Sequence, residues 1–181
     1  TQQRSSAASD VYKRQAICKF CDTDFYGTDG INGGVYSAKE LIKRVKLLWL
    51  STSKQIRVLC TGGEPLLQLD SDLISAFKEE GFYIAIETNG TLPAPKGIDW
   101  ICMSPKANTN IKLKSGNEIK VIHPQENYDP NDFMSFDFDD FYIQPMDSKS
   151  YSKNLKASLD FCMQNPRWSL SLQTHKILGI K

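Results

Sequence analysis

The chain has 181 residues, 40% of them hydrophobic and 24% charged, with a formal net charge of +1. This composition predicts one soluble globular domain and excludes a disordered chain. The near-zero charge, without a run of more than two Lys or Arg residues, argues against a nucleic-acid partner and favours a small-molecule substrate. No apolar run approaches the roughly 20 residues that span a bilayer, and the N-terminus lacks a signal-peptide core, so we expect a cytoplasmic protein with no membrane partner.

The first fifteen residues are polar, rich in Ser and Ala, and without periodicity, so they offer no face to bury. The segment Ser5–Gln15 resembles the translated adapter sequence that contaminates some assembled reads. We therefore expect residues 1–15 to be a non-native or disordered segment, and residues 16–181 to form a single domain. A genuine but disordered N-terminus is the alternative.

Cys18 and Cys21 form a Cys-x-x-Cys pair, the only closely spaced pair among five cysteines. An odd number of cysteines with one close pair does not fit a secreted disulfide framework and favours reduced thiols with one ligating pair. Taken alone, the pair is compatible with an iron–sulfur cluster, a redox dithiol or half of a zinc site.

Helical and strand patterns alternate from Ser37 onward. Ser37 and Glu40 form a capping box before apolar residues at helical spacing, which predicts a helix near 38–50. Ile56–Cys60 is a β-branched, apolar run that ends at two glycines, so it predicts a strand followed by a flexible loop.

A second helix is predicted around Leu69–Phe77, ended by Gly81, and the next strand at Phe82–Glu87. Further strands are predicted at Trp100–Met103, Ile119–Ile122, Phe141–Ile143 and Leu170–Gln173, with a helix near 151–164. This alternation indicates an α/β fold with a mostly parallel sheet. Ligands of such sheets bind at the carboxyl ends of the strands, where polar segments follow the predicted strands here.

Six segments, in order, resemble one enzyme family: Cys18–Phe25, Thr61–Pro65, Glu87–Gly90, Ser104–Lys106, Gln144–Pro145 and Gln173–Lys176. The aromatic residue before Cys21 and the Gly-Gly-Glu-Pro segment resemble the cluster loop and the methionine-amine site of radical S-adenosylmethionine (SAM) enzymes. The whole set resembles the 7-carboxy-7-deazaguanine synthases of the queuosine pathway, over roughly residues 16–181.

The resemblance implies a partial TIM-like β/α barrel and a lyase that uses a [4Fe-4S] cluster, SAM and Mg²⁺. The implied reaction is ring contraction of 6-carboxy-5,6,7,8-tetrahydropterin to 7-carboxy-7-deazaguanine with loss of ammonia. A homodimer and a flavodoxin-like or other electron donor are the partners that it implies.

The resemblance also assigns residues. Cys18 and Cys21 would hold the cluster, and the Thr23 hydroxyl would bind Mg²⁺. Thr61, His175 and the terminal carboxylate of Lys181 would contact the substrate. The residues that would bind SAM are Phe20, Cys21, Asp22, Gly63, Ser104, Pro105, Lys106, Gln144, Pro145, Met146 and Asp147.

One position departs from the family. A third cluster cysteine belongs upstream of Cys18, and the two family spacings place it at Gln3 or Arg14. Both lie in the suspect segment, so we expect the first strand and the third ligand to be lost or replaced. A cluster on two protein thiolates would be labile, and this chain is expected to be catalytically incomplete.

Simpler interpretations stay open for several residues. Cys60, Cys102 and Cys162 have apolar neighbours and favour inert core thiols. His123 before Pro124 favours a surface loop, and Asp137–Asp140 a solvated loop. His175 is equally compatible with a core hydrogen bond and with substrate contact.

Two other protein classes remain. A glycyl-radical activase would share the cluster loop and Gly-Gly-Glu-Pro, but it should lack the segments at 21–25 and 173–176. A zinc- or redox-regulated binding domain around Cys18 and Cys21 would contain stoichiometric zinc instead of iron and sulfide.

Overall fold

A computed structural model describes residues 34–51 and 55–180. The strands in these residues are β1 (Arg57–Cys60), β2 (Tyr83–Thr88), β3 (Trp100–Met103), β4 (Ser115–His123), β5 (Asp137–Pro145) and β6 (Trp168–Leu170). The helices are α1 (Ala38–Leu48), α2 (Ser71–Glu79), α3 (Tyr151–Gln164) and α4 (Thr174–Ile177), with 3₁₀ turns at Pro65–Leu67 and Pro130–Phe133.

All six strands form one parallel sheet in the order β1-β2-β3-β4-β5-β6. Sequential order with parallel pairing requires each connection to cross back over the sheet. This arrangement confirms the predicted α/β class and matches a partial TIM-like barrel. The expected loss of a first strand concerns residues outside the described part of the chain.

Helix α1 begins where the sequence predicts it. The Ser37 N–H donates to Glu40 Oε2 at 2.7 Å, and the Glu40 N–H donates to Ser37 Oγ at 3.4 Å, which completes the capping box. The helix ends at Leu48, two residues before the predicted end.

Three strand predictions needed correction. Strands β4 and β5 begin earlier than predicted, so Asp137–Asp140 lies in β5 and the expected solvated loop is wrong. Its aspartates are exposed on the strand, whereas Phe138 is buried in the core. Strand β6 lies at Trp168–Leu170 because the buried Trp168 ring packs edge-on against Phe141, with their centroids 5.2 Å apart.

The helices cover one face of the sheet, which we call the core face. Near the N-terminus, α1 and α2 bury Ile42 and Phe77 against β2. Near the C-terminus, Phe161 of α3 packs against a cluster that includes Val121 and Ile143. The strands therefore bury alternate side chains on this face.

The opposite face carries polar side chains, and we call it the open face. The strand register places Glu87 beside Cys102, Cys102 beside Glu118, and Lys120 beside Tyr142. These side chains alternate along each strand with residues of the core face. Their polar ends therefore lie on one surface that the described helices do not cover.

Candidate functional site

The polar segments that follow β1, β2, β3 and β5 lie at one edge of the sheet, because parallel strands end on the same side. We call this edge the carboxyl rim, and its residues are Thr61–Glu64, Asn89–Gly90, Ser104–Lys106 and Gln144–Asp147. Polar segments therefore lie at the edge where ligands of such folds bind.

Glu64 ties two parts of the rim together. Only 2% of this residue is exposed, and its carboxylate accepts hydrogen bonds from Thr88 Oγ1 at 2.6 Å and from the Asn89 N–H at 2.8 Å. It also accepts from the Leu66 N–H at 3.1 Å. A buried carboxylate that accepts three hydrogen bonds fixes the loop after β1 against the end of β2. Sequence analysis gave Glu64 no role of its own.

Gly62 and Gly63 have φ angles of +79° and +60° in this loop. Side chains other than glycine rarely adopt this region, and the missing Cβ atoms leave bare, exposed backbone at the rim. An amino or carboxylate group can approach such backbone closely, which agrees with the predicted role of Gly63 in binding SAM.

Ser104 and Lys106 form a hydrogen-bonding pair after β3. The Ser104 N–H donates to the Thr88 carbonyl at 2.7 Å, and Lys106 Nζ donates to Ser104 Oγ at 2.7 Å. Pro105 between them is buried, so both neighbours are held at the rim. An ammonium beside a hydroxyl suits the carboxylate and ribose oxygens of SAM.

The segment Gln144–Asp147 continues from β5. Pro145 is fully buried, whereas Gln144 and Met146 are partly exposed. The Met146 N–H donates to the His123 carbonyl at 2.8 Å, which keeps the segment beside the end of β4. The predicted SAM residues of the described chain thus occupy one edge, on three separate strand ends.

A charge pair on the open face lies below this edge. Lys120 Nζ lies 2.8 Å from Glu87 Oε1, and Thr61 Oγ1 donates to Glu87 Oε2 at 3.5 Å, the outer limit of a hydrogen bond. Burial works to lower the pKa of Lys120, but the nearby carboxylates of Glu87 and Glu118 act to raise it above its ordinary value. Lys120 is therefore a permanent cation on the same surface as Thr61.

Sequence analysis missed Lys120 and gave Glu87 no individual role. The signal was present in β4, where Glu118 and Lys120 alternate with buried Ile119 and Val121. Charged residues at alternate positions of a strand that is otherwise buried indicate a polar surface opposite the core.

The structure changes the interpretation of both histidines. His123 is the last residue of β4, not a surface loop residue: Nδ1 lies 3.2 Å from Ser158 Oγ, the ring packs on Phe161, and burial lowers its pKa. His175 is exposed in α4, so a core hydrogen bond is wrong and substrate contact stays a prediction. Its neighbour Lys176 pairs with Asp147 of the rim at 2.6 Å.

Cys60 and Cys162 pack against the core clusters, as predicted, whereas Cys102 is buried on the open face between Glu87 and Glu118. Burial raises the pKa of Cys60, Cys102 and Cys162, which disfavours the thiolate that binds metals. Residues 34–51 and 55–180 contain no group of three or more His, Cys, Asp or Glu residues that could hold a metal ion. The remaining predicted residues lie outside the described chain: Cys18, Phe20, Cys21, Asp22, Thr23 and Lys181.

The cavity of about 470 Å³ beside α1 is not this site. Its lining residues come from α1 and from Glu80 after α2, and none of them belongs to the carboxyl rim. None of the described helices combines the length and apolar character needed to cross a membrane.

Comparison with known proteins gives concordant matches. The Radical SAM superfamily matches residues 15–133. The chain is 50% identical to the 7-carboxy-7-deazaguanine synthase of Burkholderia multivorans over 169 residues, and 48% identical to that of Caulobacter vibrioides over 169 residues. Each alignment covers 93% of this chain and 80% of the relative. The crystal structure of QueE from Escherichia coli has a TM-score of 0.55 at 22% identity, covering 77% of this chain and 64% of that chain, which supports the fold.

Proposed function

The chain belongs to the 7-carboxy-7-deazaguanine synthase family of the radical SAM superfamily, and from this premise we propose that its carboxyl rim binds SAM and a reduced pterin. The reaction is ring contraction of 6-carboxy-5,6,7,8-tetrahydropterin to 7-carboxy-7-deazaguanine with loss of ammonia. The family implies a [4Fe-4S] cluster and SAM, which when bound supply hydrogen-atom abstraction from the substrate.

The observation that carries this proposal is the loop fixed by Glu64. Its hydrogen bonds to the end of β2 hold Gly62 and Gly63 at positive φ with bare backbone exposed at the rim. The exposed Gly63 backbone binds the amino group of SAM. Ser104, Lys106 and Gln144 supply further donors and acceptors from the neighbouring strand ends.

The open face binds the pterin. Thr61 donates its hydroxyl proton toward Glu87, so its oxygen lone pairs are left to accept a hydrogen bond from a pterin N–H. Lys120 pairs with Glu87 at 2.8 Å on the surface that faces the substrate. His175 contacts the substrate from the segment that the Asp147–Lys176 pair holds at the rim.

The rest of the proposal follows the family. Cys18 and Cys21 hold the cluster, and Thr23 binds Mg²⁺. Phe20, Asp22, Pro105, Pro145, Met146 and Asp147 complete the SAM site. The protein is a cytoplasmic homodimer with one catalytic domain, residues 16–181, and it receives electrons from a flavodoxin-like or other donor.

Iron and sulfide content after anaerobic reconstitution tests the cofactor, together with electron paramagnetic resonance. The matched variant is Arg14→Cys, which adds a thiolate at one of the two family spacings. We expect a [4Fe-4S] signal that SAM perturbs in this variant, and a weaker or labile signal in the unchanged chain. Stoichiometric zinc without iron in both proteins would refute the proposal and support a zinc domain.

Gly63→Ala tests the site itself, with Gly81→Ala as the matched control. Both glycines have positive φ, and Gly81 follows α2 away from the rim with open space around it. Alanine is therefore disfavoured by the positive φ at both positions, whereas only Gly63 is proposed to contact SAM. SAM should perturb the cluster signal in the control and not in Gly63→Ala, measured in the Arg14→Cys background. Equal SAM responses in both would contradict the assignment of Gly63.

A further inference from the structure

Helix α3 buries polar side chains where a helix on a sheet normally buries apolar ones. Its two buried residues are Asn154, 8% exposed, and Ser158, fully buried. They are four residues apart, so they lie on the same side of the helix, one turn from each other. Burying polar groups without hydrogen-bond partners costs free energy, so these two side chains need partners inside the protein.

Both side chains bind backbone at the end of the sheet. Asn154 Nδ2 donates to the Met146 carbonyl at 2.8 Å and to Ser148 Oγ at 3.1 Å. Ser158 Oγ donates to the His123 carbonyl at 3.3 Å. The His123 carbonyl also accepts the Met146 N–H at 2.8 Å. The polar side of α3 therefore holds the end of β4 and the adjacent Gln144–Asp147 segment at the end of β5.

These hydrogen bonds determine which groups of Met146 can contact a ligand. Its single N–H is used by His123, and its carbonyl already accepts from Asn154. Met146 as a whole residue is partly exposed at the rim. A thioether is polarizable and packs well on a flat aromatic ring. The Met146 side chain can therefore offer a ligand an apolar contact, and the position of that contact depends on how the peptide is held.

We propose that Asn154 is a positioning residue for SAM binding: it fixes the Met146 peptide so that the Met146 side chain packs on the cofactor. The inference rests on the proposed function, because it takes the Gln144–Asp147 segment as part of the SAM site. Asn154 itself does not touch the cofactor. It restricts the conformations of the Gln144–Asp147 segment before SAM binds, so less conformational entropy is lost on binding.

Asn154→Asp is the test, with Asn165→Asp as the matched control. Asn165 lies at the other end of the same helix, and its Nδ2 also donates to a backbone carbonyl, that of Phe161 at 2.9 Å. Both substitutions replace an amide donor with a carboxylate that repels the carbonyl. Only the first should alter the rim. Both are made in the Arg14→Cys background and compared for the SAM concentration that half-saturates the change in the cluster signal.

We expect Asn154→Asp to raise this concentration about tenfold, equivalent to about 1.4 kcal/mol, and Asn165→Asp to leave it unchanged. Lowering the pH should restore SAM binding in Asn154→Asp, because the protonated carboxyl can again donate to Met146. Hydrogen exchange of residues 144–148 provides a readout without cofactor, and exchange should rise only in Asn154→Asp.

The outcomes separate this inference from the proposed function. If the background protein itself shows no SAM response, the proposed SAM site fails. If that protein responds but Asn154→Asp and Asn165→Asp have equal half-saturation concentrations, the inference about Asn154 is wrong and the SAM site stands. Met146→Ser should weaken SAM binding, and an unchanged SAM affinity in this variant would overturn the side-chain contact.

Discussion

The two faces of the sheet are built from the same strands, but one face packs in the core and the other presents polar groups. On the core face, Ile84 and Ile86 of β2 are fully buried between the strands and helix α2. On the open face of the same strand, Glu87 is partly exposed and pairs with Lys120. Strand periodicity assigns each residue to one face or the other, so one short segment can carry both stability and chemistry. Substitutions should therefore separate the two properties.

The largest effect on stability is expected from the core face. Phe77 is 1% exposed and stacks on Phe82, with ring centroids 5.4 Å apart. Phe77→Ala should lower the free energy of unfolding by about 3–5 kcal/mol, because it removes buried surface and leaves a cavity. Urea denaturation followed by circular dichroism measures this. Leu59→Ala, at a strand position that is 57% exposed, is the control and should cost about 1 kcal/mol or less. Equal losses would contradict the distinction between the faces.

Glu64 is buried and also holds the loop at the rim, so its substitution should affect both stability and SAM binding. Glu64→Ala leaves the Thr88 hydroxyl and the Asn89 N–H without their partner. The expected loss of unfolding free energy is about 2–3 kcal/mol, together with loss of the SAM response. Glu79→Ala, on the exposed side of α2, should change stability by about 0.5 kcal/mol or less. Unchanged stability in Glu64→Ala would show that the carboxylate does not hold the loop.

A smaller effect, confined to acid, is expected from His123. Burial lowers the pKa of His123 below its ordinary value. The unfolded chain then binds the proton more readily than the folded protein. The contribution of His123 to the unfolding free energy is therefore present above about pH 6.5 and is lost as the pH falls toward the pKa of the folded state. Unfolding free energies measured between about pH 7.5 and 5 in a His175→Gln background should show this slope. His123→Gln should flatten it, and a slope of equal size in that variant would assign the effect to other groups.

The smallest effect on stability is expected from the charge pair of the open face. Lys120→Met keeps the apolar stem and removes the charge, so the unfolding free energy should change by about 0.5 kcal/mol or less. Binding of the reduced pterin should nevertheless weaken about tenfold, because Glu87 loses its partner beside Thr61. Calorimetric titration measures the affinity. The control is Lys156→Met, which breaks an exposed pair with Asp160 on α3 and should not affect binding.

Much of the fold could be predicted from local sequence. The capping box of α1, the strand Trp100–Met103 and the helix 151–164 are confirmed, since caps and hydrophobic periodicity act over a few residues. The start of β5 was mispredicted because its aspartates suggested a loop, whereas Phe138 and the pairing with β4 keep that segment in the sheet. Local polarity is a poor guide where a neighbouring strand supplies the hydrogen bonds.

The candidate site likewise combines features that local sequence predicts with features that only the tertiary structure determines. The ordered segments of the sequence identified the family. They also placed Thr61, Gly63, Ser104 and Gln144 at strand ends, because strand periodicity and turn residues can be recognised from a few neighbouring residues. Only the tertiary structure selected Lys120, Glu64 and Asn154. Glu64 and Lys120 act through partners 24 and 33 residues away, Thr88 and Glu87, and Asn154 acts through Met146 across the connection from β5 to α3. Such pairings are decided by strand register and helix packing, which no single segment of the sequence encodes.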